Sequence, residues 1–266
     1  MVYSLADLRT YLYRSIKYKI SRPMPPPAPF GFGGPVVVVG SAPVSHRPVG
    51  FNDQFTLITI NGSQSVTSGW GIKSPDVTLM MFNQVEGTTQ NAQEVRRVLS
   101  GQRTKALYVL LWRKDDRLRL ERGLKSFNYG YEHLYIVDRY ERMALLDRVA
   151  GVCSLEIDAD AKCSNGINAV LLALFHGAPA VIITGINPNS SGHVYNCAGL
   201  TRLHVQMDRM ILDRLLAAGR PIFTSDPIVS VETGIPLWHE SLCAPLAEGA
   251  TSYDGEKYDG NIQRRA

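Results

Sequence analysis

A chain of 266 residues, 45% of them hydrophobic and 20% charged, carries ample apolar material for an α/β core and excludes a disordered polar polymer. Its 28 Lys and Arg against 24 Asp and Glu leave a formal net charge of +4, suited to an anionic ligand or surface and too small to imply nucleic acid. Cys153, Cys163, Cys197 and Cys243 form no CxxC pair and no zinc-type Cys/His spacing, so reduced thiols are expected and a metal site is not.

No run approaches the roughly twenty apolar residues of a spanning helix, and the N-terminus has no secretory pattern, so a cytoplasmic protein is expected. Residues 1–22 place Leu5, Leu8, Tyr11, Leu12 and Ile16 at helical spacing among Arg9, Arg14, Lys17 and Lys19. Such a helix either lies on an acidic inner-membrane surface or packs on its own domain or on a second copy in a homo-oligomer. The following PMPPPAPFGFGGP reads as a linker, which makes 1–34 an N-terminal segment, 35–247 an α/β domain and 248–266 a polar tail.

Within the domain, strands are expected at 36–39, 55–60, 77–82, 106–111 and 133–137, then a helix at 166–175, a strand at 180–184, a helix at 203–218 and a strand at 221–224. Unbroken β-branched runs such as Val36 to Val39 are strands buried on both faces. Their alternation with helices predicts a doubly wound, mostly parallel Rossmann-like sheet with helices on both faces and a short lid. The Arg- and Lys-rich stretch 94–125 is either a solvated face or a contact for an anionic acceptor or membrane.

Ligands of such sheets sit at the carboxyl ends of the strands. There the first strand meets Gly40-Ser41-Ala42-Pro43, which lacks the dinucleotide GxGxxG and the Walker pattern but offers backbone amides to a phosphate. The next two strands end at Asn61 and Asn83, either ordinary turn residues or groups able to read a ribose or a pyrimidine edge. Ser164-Asn165-Gly166 is helix N-cap chemistry, and the helix N-terminus adds partial positive charge at the same edge. His204, with Asp208 one turn later, is a candidate general base, or a structural histidine.

In this order the pieces resemble the bacterial sialyltransferases that use CMP-activated sialic acid. The resemblance covers residues 35 to 225 as a pattern without long identity. It assigns the nucleotide to Gly40, Ser41, Ala42 and Pro43, to Asn61 and Asn83, to Ser164, Asn165 and Gly166, and to Thr184-Gly185-Ile186-Asn187 after the sixth strand. It makes Tyr195 of the lid a phosphate-binding tyrosine and His204 the base. Asn187 stands where that family has Asp, Asn189 where it has a first lid tyrosine, and the lid is short, so Kdo joins sialic acid as the sugar implied and a nucleotide diphosphate donor stays open.

The resemblance implies metal-independent direct displacement from a CMP-sugar, with no other cofactor, onto a cell-surface glycan or lipid-linked acceptor. Two other classes stay open on the residues alone: another nucleotide-dependent transferase, such as a methyltransferase or a pyrophosphokinase-like enzyme, and a noncatalytic nucleotide-binding subunit.

Overall fold

The computed structural model describes residues 5–158, 160–189, 194 and 204–242. In chain order the elements are α1 (Leu5–Ser21), β1 (Val36–Val39), β2 (Thr56–Ile60), α2 (Gln64–Ser68), β3 (Val77–Met81), α3 (Phe82–Glu86), α4 (Gln90–Leu99), β4 (Arg103–Leu110), α5 (Arg117–Ser126), β5 (Gly130–Val137), α6 (Arg139–Ala150), α7 (Asn165–Phe175), β6 (Val181–Thr184), α8 (Val205–Ala217), β7 (Ile222–Thr224) and α9 (Pro227–Thr233). The described strands form one seven-stranded sheet in the order β5-β4-β3-β2-β1-β6-β7. Every pair is parallel, as in Val36↔Thr56 and Val36↔Val181.

The Rossmann-like expectation therefore holds. Continuous apolar strands need cover on both faces, and parallel pairing demands crossovers that supply it. Val36, Val38, Ile58 and Tyr108 pack with residues of α6, α7 and α8. On the other face Val37, Val39, Leu57 and Ile182 pack with Phe55 and Trp238, and Leu107 and Val109 with residues of α4 and α5. Helix α7 is buried all round from Asn165 through Ala173, and apart from Asn165 and Asn168 that run is apolar or glycine.

Several boundaries differ from expectation. β3 stops at Met81 because Phe82 opens α3, and β4 starts at Arg103. The basic stretch folds into α4, β4 and α5, with the cores of the two helices at Val95/Leu99 and Leu120/Leu124. Many of its cations find carboxylates of this chain: Arg97 with Glu94, Lys105 with Asp76, Arg117 with Glu121, Arg119 with Glu86. These are exposed ion pairs, each worth about 0–1 kcal/mol.

Nor is the Pro/Gly stretch a free tether. Pro25, Pro26 and Phe32 are buried, His176 Nε2 donates to the Pro26 carbonyl (2.8 Å) and the Tyr108 hydroxyl to that of Pro27 (2.6 Å). Residues 243–266, including the expected tail, lie outside the described residues.

Candidate functional site

β1 sits at the topological switch point, with its first crossover leading to β2 on one side and β6 returning on the other. Such a crevice is where open α/β sheets hold ligands. The ladder continues past both strands: Gly40 N–H donates to Thr184 O and Ala42 N–H to Gly185 O, each at 2.8 Å. A Cβ on Gly40 would stand 2.2 Å from the Gly185 oxygen and 2.6 Å from Ile186 Cγ1, so this corner admits only glycine. Gly185 itself has φ +61°, the left-handed region.

Two further strands of chain meet this corner. The Ser41 carbonyl accepts from Val194 N–H at 2.9 Å, which brings one residue of the expected lid over the β1 turn. The main chain of His46 is clamped by Thr184 Oγ1, which accepts from its N–H (2.8 Å) and donates to its carbonyl (2.9 Å), and by Ser225 Oγ, which donates to the same carbonyl (2.9 Å). Ala42 is buried, Ser41 is half-buried, and Pro43 and His46 are exposed.

At the end of β2, Asn61 has φ +50°, a conformation in which asparagine is favoured over most residues. Its Oδ1 accepts from Met81 N–H (3.1 Å) at the end of β3 and from Asn165 Nδ2 (3.3 Å) in the first turn of α7. One side chain thereby joins two strand ends to a helix N-terminus. Asn165 is 8% exposed, and its Oδ1 is buried with no hydrogen-bond partner among the described residues, an acceptor held open at the rim.

Ser164 caps α7, its Oγ accepting from Ile167 N–H (3.3 Å), and its own N–H donates to Asp208 Oδ1 (2.8 Å). Asp208 is buried and stands in the first turn of α8, directly after His204 at that helix's N-cap. His204 is half-buried. A Cβ on Gly166 would stand 3.0 Å from Ile186 Cδ1, so α7 packs tightly against the end of β6.

The structure thus brings together Gly40, Ser41, Ala42, Asn61, Ser164, Asn165, Gly166, Gly185, Ile186, Asp208 and, on the same helix as Asp208, His204. Asn83 is the second residue of α3, two residues past the end of β3, exposed, with Oδ1 accepting from Gln84 Nε2 (3.2 Å). Asn187 Oδ1 accepts from Asn189 N–H (2.8 Å), and both amides donate to Glu232 Oε2 of α9 at 3.2 and 3.0 Å. Tyr195 lies outside the described residues. Sequence reasoning missed His46, Ser225 and Glu232. Their only signal was position, just beyond a strand end or on the helix after β7.

Among the described residues no group of three or more His, Cys, Asp or Glu is placed to hold a metal ion. Burial, and then the Asp208 carboxylate, push the Cys163 thiol beside the α7 cap up to about 12. A shallow groove along the outer face of α8, lined by Val205, Arg209, Met210 and Arg214, meets these residues only at Asn189.

No protein-family model matches the chain, and no curated protein matches it in sequence. Solved structures do. The chain superposes on the monofunctional alpha-2,3-sialyltransferase Cst-I of Campylobacter jejuni with TM-score 0.52 and 12% identity, over 77% of this chain and 80% of that one. The sialyltransferase CstII of the same organism, in complex with the substrate analogue CMP-3FNeuAc, gives TM-score 0.51 and 14% identity over 77% and 86%. CST-II with a trisaccharide acceptor and CMP gives 0.52 and 12%, over the same shares. The chain has the fold of the bacterial sialyltransferases.

Proposed function

We propose that residues 35–247 form a metal-independent glycosyltransferase that moves an acidic sugar, sialic acid or Kdo, from a CMP-activated donor to a hydroxyl of a glycan acceptor. The observation that carries the reading is the Asn61–Asn165 bond. It fastens the ends of β2 and β3 to the N-terminus of α7 beside the Gly40/Gly185 corner, at the carboxyl edge of the sheet where open α/β folds hold ligands, and proteins of the same fold have been solved with CMP-3FNeuAc and with CMP.

In this reading the first-turn amides of α7 and the turn amides after β1 face the nucleotide phosphate, where the helix dipole favours negative charge. Asn165 Oδ1 supplies an acceptor to the nucleoside. His204 takes the proton of the acceptor hydroxyl as its oxygen bonds to the anomeric carbon. The anomeric carbon–phosphate oxygen bond breaks in the same displacement, and CMP leaves with the bonding pair. Tyr195 holds the departing phosphate. Asp208 fixes the start of α8 against Ser164 and so sets where His204 stands. Asn187 and Asn189, joined through Glu232, shape the sugar end of the cleft.

The test is a thermal-shift panel of CMP, CDP, UDP, GDP and S-adenosylmethionine, followed by turnover of CMP-sialic acid and CMP-Kdo with a chelator present. Stabilisation by CMP above the others is expected. Stabilisation by S-adenosylmethionine alone overturns the reading in favour of methyl transfer. His204→Ala is expected to lower kcat by about 100-fold or more with CMP binding kept, and undiminished turnover removes His204 as the base.

A further inference from the structure

Helix α1 packs the wrong way round for a helix of a soluble domain. The side chains it covers in part include Asp7, Thr10, Arg14 and Tyr18, which recur along one polar face. Arg14 donates to the carbonyls of Leu155 and Glu156, the Tyr18 hydroxyl donates to Asp147 Oδ2 (3.1 Å), and Lys17 Nζ sits 4.9 Å from the Tyr140 ring centroid. Glu156 in turn pairs with Arg142, both side chains almost wholly buried, so the ground on which α1 stands is firm.

The opposite face is apolar and bare. Leu5, Leu12, Ile16 and Ile20 form one stripe and are 87%, 51%, 56% and 78% exposed, while no residue of the helix is buried. An amphipathic helix ordinarily turns that stripe inward. Arg9 and Lys19 stand within the stripe. The only acidic residue of α1, Asp7, lies on the inner face. Among the described residues no helix is long and apolar enough to cross a membrane.

We propose that α1 lies flat in the headgroup region of an anionic bilayer, its Leu5/Leu12/Ile16/Ile20 stripe at the acyl boundary and Arg9 and Lys19 among the lipid phosphates. Charge decides between this occupant and a second copy of the chain. Two such faces brought together would oppose basic groups with no carboxylate between them, whereas an anionic surface complements them. The residues are separate from the proposed donor site, so either reading can fail without the other.

The experiment is flotation of the full chain with vesicles of phosphatidylcholine alone or with added phosphatidylglycerol. Flotation only with the anionic vesicles, reversed by high salt, is expected. The double substitution Leu12→Asp, Ile16→Asp abolishes it with the melting curve unchanged, because both positions are exposed. Arg9→Glu with Lys19→Glu weakens it by about tenfold or more. The proposal is overturned by absence of flotation, by flotation that survives the Asp pair, or by a dimer in solution that the Asp pair makes monomeric.

Discussion

The Ser164 amide and the Asp208 carboxylate, 2.8 Å apart, tie the cap of α7 to the first turn of α8. One buried acid thereby sets both the helix end proposed to face the phosphate and the helix that carries His204. Asp208→Ala leaves the half-buried Ser164 N–H without this acceptor and is expected to lower stability by about 1 kcal/mol or more in urea titration. Asp208→Asn keeps an acceptor oxygen and is expected to lose less, with CMP affinity closer to that of the parent chain.

At the β1/β6 corner, Gly40→Ala drives a methyl group into the main chain of Gly185. Backbone cannot swing aside as a side chain can. The expected cost is about 1–3 kcal/mol or more, with loss of CMP stabilisation in the thermal-shift assay. Gly185→Ala meets the Gly40 oxygen at 2.9 Å and adds the left-handed conformation, for a further strain of about 1–2 kcal/mol.

Asn61 separates backbone from side-chain effects. Asn61→Gly tolerates φ +50° and removes only the bridge to Met81 and Asn165. Asn61→Ala pays both. Asn61→Asp keeps the acceptor, so the expected order of melting temperature is parent, Asp, Gly, Ala. CMP affinity is expected to fall with the bridge, in both Gly and Ala.

Alkaline pH should unfold the protein by a traceable route. Cys163, with an ordinary thiol value of 9.0, is held protonated to about 12 in the folded chain by burial and by Asp208. Above pH 9 the unfolded chain releases a proton that the folded one keeps, so stability present below pH 9 is lost as pH rises toward 12, by about 1.4 kcal/mol per unit. Burial raises Tyr108 and Tyr129 as well, which steepens the fall above pH 10. Urea midpoints from pH 8 to 10.5 should show this decline, and Cys163→Ala should flatten its first part.

The ion pair beneath α1 behaves differently from the exposed ones. Arg142 and Glu156 are 2% and 5% exposed at their side chains, with Arg139 also near Glu156 at 3.4 Å. Glu156→Ala strands buried positive charge and is expected to cost about 3–5 kcal/mol. The apolar pair Arg142→Met, Glu156→Leu should recover much of that. Denaturation midpoints of the single and double variants check it.

What the sequence revealed was whatever local chemistry decides. Four consecutive valines mark β1, and Ser164 before an apolar run marks the α7 cap. The parallel sheet follows from strand–helix alternation, which leaves its strand order open. Contacts between distant residues left no such trace. Nothing near Asp208 points to Ser164, nothing near Glu232 points to Asn187, and the clamp on His46 draws on β6 and the residue after β7. The short helix α3 was invisible because its five residues carry too little periodicity. In the Pro-rich stretch, two buried prolines and Phe32 replaced the expected tether because Tyr108 and His176 offer donors to its carbonyls.

Strand β1 pairs with β2 close by in the chain but with β6 only after five strands and most of the helices have been made. During synthesis, until Val181–Thr184 clears the ribosome, the growing polypeptide displays four valines with one side of their hydrogen-bonding ladder empty. A nascent intermediate halted between α6 and α7 should therefore be sticky and need chaperone shelter until β6 fills that ladder.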